Sequence, residues 1–177
     1  GGGPMASYYY LISSLPMLRT RGEPPMDYAE FLRQCRTAVS PGVYETLATL
    51  TVSADRGPFL SQWAEFYQSL SRELTYQRSV KLGRPCPAPY NRDPGIVRAV
   101  SEAVNAENPL EGEQILLDLE FRRLDGMIGL HNFDDHALYG YAMKLQLLER
   151  QRLFRREAGK RAFDGLAAHI RQQIPSL

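Results

Sequence analysis

The chain has 177 residues, 44% hydrophobic and 23% charged, with a net charge of +1. A chain this long is one domain or two small helical lobes, and it buries roughly 70% of the surface of its unfolded form, so folding requires neither disulfide nor metal. The near-zero charge gives no global pull toward nucleic acid; no stretch approaches the roughly 20 apolar residues of a membrane span; and Cys35 and Cys86, far apart and outside any CxxC spacing, read as free thiols of a cytoplasmic protein.

Gly1-Gly2-Gly3-Pro4 ahead of Met5 reads as a cleavage scar or linker, so the natural chain is expected to begin at Met5. The apolar run from Tyr8 to Leu18 is broken by Ser13, Ser14 and Pro16 and has no basic leader, which argues against a signal peptide. Tyr8-Tyr9-Tyr10-Leu11-Ile12 has strand-like composition. No second strand exists to satisfy its backbone, which favours a helix ending before Pro16. Asp27 is an N-cap candidate with Glu30 in capping-box spacing, predicting a helix from Tyr28 to about Val39. Ser40-Pro41 starts another, with Val43, Leu47 and Leu50 on one face.

Leu60, Trp63, Tyr67, Leu70 and Leu74, widened by Phe66, recur at three- and four-residue steps and predict a long helix over Leu60–Leu82, with Arg78 continuing its stripe as a partly buried, paired cation. Gly83 and Pro85 stop it. The proline-rich stretch to Pro94 is the candidate boundary between an N-terminal lobe, 5–84, and a C-terminal lobe, 85–177. Asp93-Pro94 opens a helix to about Ala106, and Asn108-Pro109 opens the next, Pro109–Leu130, with a stripe of Leu110, Leu117, Phe121, Leu124 and Ile128 and an Asp118–Arg122 pair. A turn over His131–Asp135 leads to a third long helix, Asp134–Phe154, striped by Leu138, Tyr141, Leu145 and Leu148. So short a connection predicts an antiparallel helical hairpin, with Ala137 and Gly140 allowing close approach. A separate last helix is expected over Ala162–Gln173, ending at Pro175. The fold class is therefore all-α, a bundle of roughly six to eight helices built around the hairpin.

Three clusters carry possible chemistry. His131, Asp134, Asp135 and His136 could bind a divalent metal, but their spacing matches no helical metal site, and Asp134 or Asp135 is better read as a helix cap. Glu111, Glu113, Asp118, Glu120 and Asp125 could include an acid–base pair, but read as a solvated helix face. Arg150, Arg152, Arg155, Arg156, Lys160 and Arg161 form the one dense basic run. A solvated helix end, a surface for an acidic protein partner and a nucleic-acid contact all remain open for it. No phosphate loop, nucleophile elbow or Cys/His dyad is visible, so neither an enzyme nor a cofactor is expected.

Three segments carry a family resemblance: Tyr8-Tyr9-Tyr10-Leu11-Ile12-Ser13-Ser14-Leu15-Pro16, Glu107-Asn108-Pro109-Leu110-Glu111, and Tyr141-Ala142-Met143-Lys144-Leu145-Gln146-Leu147-Leu148-Glu149-Arg150. In these the chain resembles a bacterial family of helical proteins encoded beside V-type ATPase subunits. The resemblance implies a place like that of the C-type (d-type) stalk subunit, a longer all-helical socket of three lobes that joins the central shaft to the membrane rotor ring and has no active site. It implies V-type ATPase stalk or rotor subunits as partners and a cytoplasmic location, peripheral to the membrane through that complex. It supplies no functional residues to carry over. The basic run from Arg150 to Arg161 is then the candidate docking surface, accompanied by an apolar patch from Tyr8–Tyr10 or Phe154.

Overall fold

The computed structural model describes residues 3–84, 86–131 and 133–173, the side chains of 3–7, 165 and 167–173 excepted. Pro85 and Pro175, read as helix stops, and Asn132 lie outside the described residues. Seven helices and no strand occur among the described residues: α1 (Gly3–Ser14), α2 (Tyr28–Cys35), α3 (Pro41–Ala48), α4 (Pro58–Lys81), α5 (Pro94–Val104), α6 (Pro109–Ile128) and α7 (Asp135–Gln173).

Local chemistry sets most of the boundaries. The Asp27 side chain accepts from the Glu30 amide, Ser40 from Val43, Asp93 from Gly95 and Ile96, and Asn108 from Glu111. Each satisfies amides that a helix start leaves orphaned. Glu30 does not complete the reciprocal half of a capping box; its carboxylate pairs with Arg33 one turn on. The helix after Asp27 ends at Cys35, short of Val39.

The three longest helices are those expected, with one difference. No break separates the helix after Asp134 from the segment Ala162–Gln173; α7 runs unbroken for 39 residues. Between Phe154 and Ala162 only Gly159 weakens the helix, and a single glycine costs only about 1 kcal/mol.

Helix directions follow from cross-contacts. The pairs Asp125–Lys144 and Glu120–Arg150 descend in α6 as they ascend in α7, so these two form the antiparallel hairpin. Glu73–Arg92, Gln77–Val97 and Lys81–Val104 ascend together, so α4 and α5 run parallel. A parallel pair needs a return connection, which is the work of the proline-rich segment between them. Gly140 sits where α7 meets α6: a Cβ there would lie 2.4 Å from Ile128 Cδ1. At Gly112 a Cβ would lie 2.7 Å from the Ala103 carbonyl oxygen, so α5 and α6 touch backbone to backbone.

Buried residues from all seven helices join in one apolar cluster centred on Phe31, Trp63, Leu124, Leu138, Leu145 and Leu148. Backbone groups at its margin are closed by side chains: Trp63 Nε1 donates to Val52 O, Gln146 to Leu50 O, Tyr28 Oη to Leu47 O, and the Glu149 carboxylate accepts from the Tyr28 amide. Leu110, assigned to the buried stripe of α6, lies exposed ahead of it. Arg78 pairs loosely with Glu113 at 3.9 Å and is 58% exposed, so its helix face has turned to solvent by that point. Asp118 accepts from Gln114 rather than pairing with Arg122.

Candidate functional site

Helix α7 changes character along its length. From Ala137 to Gln151 it is buried on most sides. Beyond Gln151 the body falls away. Between Arg156 and Leu166 every described side chain except the half-buried Ala158 is exposed, with Phe163 at 70% and Leu166 at 58%. At 1.5 Å per residue the stretch from Arg152 to Gln173 is about 30 Å of helix.

The six basic residues divide across this transition. Arg150 belongs to the body: its guanidinium donates to Tyr67 Oη at 2.7 Å and stands 3.6 Å from Glu120. Arg152 reaches Glu23 at 3.7 Å across an exposed surface, the last ion pair between α7 and the body among the described residues. Arg155 is half-buried beside a shallow groove that it shares with Arg21, Asp118 and Gln151. Arg156, Lys160 and Arg161 are exposed, and Arg161 approaches Glu157 at 3.8 Å along the helix. Five of the six therefore stand on or near the outgoing half, while Arg150 anchors its root.

Of the carboxylates read as a solvated face, Glu120 is not solvated: only 1% of it is exposed, and its Oε2 has no hydrogen-bond partner. Burial, together with nearby Glu113, pushes its carboxyl up to about 7, against the pull of Arg150. The signal for this is present in the sequence, since Glu120 stands three residues after Leu117 and four before Leu124, on the apolar stripe itself. A second buried carboxylate, Glu73, has the same kind of position after Leu70. It is held by Arg92 Nε and Nη2, at 2.9 and 2.7 Å, and by Gln77 at 2.8 Å. Arg92 keeps its carboxyl below the usual range.

Asp134 caps α7, accepting from the His136 and Ala137 amides, and pairs with His131. Among the described residues no group of three or more His, Cys, Asp and Glu side chains is placed to share a metal ion. Both cysteines are free, and burial pushes the Cys35 thiol up to about 12. No helix of the described residues is long and apolar enough to cross a membrane.

Apolar surface accompanies the basic run, though not as expected at Tyr8, which is part of the core. Tyr9 and Tyr10 are exposed, and Tyr9 packs on Phe133 at 4.7 Å, at the opposite end of the α6–α7 hairpin from Arg152. Phe154 closes one side of an apolar groove of about 620 Å³ between the ends of α4, α5 and α6, lined by Leu74, Leu82, Val104 and Leu116. Comparison with protein-family models, with characterised proteins and with solved structures gives no match.

Proposed function

We propose that this protein is a non-catalytic accessory or central-stalk component of a V-type rotary ATPase, acting by docking on stalk or rotor subunits. One observation carries the docking half of this reading: α7 continues well past the body that buries its first half, and presents Arg152, Arg155, Arg156 and Lys160 there with the exposed Phe163 and Leu166. Exposed ion pairs contribute only about 0–1 kcal/mol each, so arginines alone hold no rotor together. Apolar area beside them supplies the rest, and guanidinium forks meet carboxylates two-pronged, which fixes orientation. The ATPase half rests on the resemblance of the Tyr8–Pro16, Glu107–Glu111 and Tyr141–Arg150 segments.

The test is purification of the ATPase from native membranes through a tag on this protein. Recovery of stalk and catalytic subunits in gentle detergent is the expected result; their consistent absence overturns the assignment. The rival reading is a helical regulatory or nucleic-acid-binding module using Arg150–Arg161. It requires a salt-dependent shift with duplex DNA or RNA at physiological ionic strength.

A further inference from the structure

Along the buried part of α7 one line of residues, a seam, has regular spacing. Leu138, Ala142, Leu145 and Glu149 follow one another at alternating steps of four and three residues, the repeat by which one helix lies along another. The first three are buried. Glu149 is the last seam residue bonded to a helix of the body, through the Tyr28 amide at the start of α2. The same steps then continue without a slip: Arg152, Arg156, Gly159, Phe163, Leu166. All five are exposed. The seam thus outlasts the helices it packs on.

We infer that the seam from Arg152 to Leu166 is completed by one acidic helix of another polypeptide, paired along it as a short two-stranded coiled coil. This inference rests on the docking reading above and names the chemistry of that partner. The seam's own chemistry specifies it. Phe163 and Leu166 call for apolar residues opposite. Gly159, with nothing within 4 Å of where a Cβ would stand, leaves room for a large one. Arg152 and Arg156 call for carboxylates, and two of the four positions that border the seam, Arg155 and Lys160, are basic as well, the other two being the apolar Leu153 and Ala162. The acids of this stretch, Glu157 and Asp164, fall on the outer face, where Glu157 is met by Arg161. Charge is therefore sorted by face, with four cations toward the seam and both carboxylates away from it. Border charges of one sign choose a partner of the other.

A second copy of this chain fits poorly. Self-pairing in either direction brings two basic seams together with no carboxylate on that face. An anionic bilayer fits poorly too, because an interfacial helix keeps its apolar and basic residues on different faces. Here Arg152 and Arg156 share one line with Phe163 and Leu166.

The probe is a 28-residue synthetic helix of heptads, made in forward and reversed sequence order. It carries Leu opposite Gly159, Phe163 and Leu166, and Glu opposite Arg152 and Arg156 and at the border positions. Its lysine-for-glutamate counterpart is the control. Titration of the full chain with the acidic peptide, followed by calorimetry and circular dichroism, should show one-to-one binding with a gain of helix. The affinity should fall at least tenfold in Arg152→Glu/Arg156→Glu and, separately, in Phe163→Ser/Leu166→Ser. All four positions are exposed, so near-ultraviolet dichroism and the melting temperature should stay as in the parent chain. Failure of both acidic peptides to bind, or equal binding of the lysine control, overturns the inference. So does a concentration-dependent dimer of the chain alone, or binding to phosphatidylglycerol vesicles in place of peptide. No ATPase subunit is present in this titration, so its failure and the failure of the ATPase assignment are separately visible.

Discussion

The two halves of α7 are one helix with one seam spacing, yet they meet opposite fates. Over Leu138–Leu148 the helix disappears into a body that it meets through α1, α2, α3, α4 and α6; over Arg156–Leu166 the seam lies exposed. Periodicity states that a helix has a face to bury. It does not state whether the covering element belongs to the same chain. The residues on the seam separate the cases: Leu138, Ala142 and Leu145 suit a permanent interior, whereas Arg152 and Arg156 remain tolerable in water until a carboxylate arrives.

This contrast is sharpened most strongly by truncating a buried leucine. Leu148→Ala leaves a cavity among well-packed neighbours and should lower unfolding free energy by about 3 kcal/mol in a urea titration. The matching change Leu166→Ala should stay within about 0.5 kcal/mol of the parent. A large loss at Leu166 would mean that the outgoing half is packed after all.

At the root of that half, Glu120 gives the next largest effect. Its carboxyl titrates near 7 in the folded chain, well above its ordinary value. The folded state therefore holds a proton that the unfolded state has released, and stability is fully present below the ordinary carboxylate range and falls as pH rises through about 7. Glu120→Gln removes the ionisation while Arg150 keeps Tyr67 and solvent. Each tenfold difference in proton affinity between the folded and unfolded chains is worth roughly 1.4 kcal/mol, so the variant should be more stable than the parent at pH 8 by up to about 3 kcal/mol and nearly equal to it at pH 4. Parallel melting curves across pH 4–8 for the two proteins would contradict the buried-proton account. Glu73 is the internal control: equally buried but fully bonded by Arg92 and Gln77, it stays ionised, so no comparable gain at pH 8 is expected from Glu73→Gln.

Hydrogen exchange reads the contrast without mutation. Amides from Leu138 to Leu148 should exchange only through opening of the core, and those from Arg156 to Leu166 through local fraying, orders of magnitude faster. Addition of the completing partner should slow only the second group.

What is legible in the sequence follows the range of each interaction. The caps at Asp27, Ser40, Asn108 and Asp134 and the long helices α4 and α6 are three- and four-residue effects, readable from neighbours alone. The polar members of the core are harder to read. Glu73 and Glu120 stand on apolar stripes at helical spacing, but a charged residue ordinarily marks the solvent side of a helix. Their partners, Arg92 and Arg150, come from elements 19 and 30 residues away. The continuity of α7 is hidden because Gly159 and the change from apolar to basic residues look like a boundary. The candidate surface itself is legible as a basic run. That Arg150 belongs to the core network, and that the other members continue the helix's own seam, depends on where the body ends. No local pattern records that.

We propose that the outgoing half of α7 is what attaches this protein to a V-type ATPase. The most direct measurement is side-by-side affinity purification from native membranes of the parent chain and of Arg152→Glu/Arg155→Glu/Arg156→Glu, with unfolding curves of both. Stalk and catalytic ATPase subunits should accompany the parent and be lost from the variant, and the two should unfold within about 0.5 kcal/mol of each other. Absence of the ATPase from the parent, or its undiminished recovery with the variant, would contradict it.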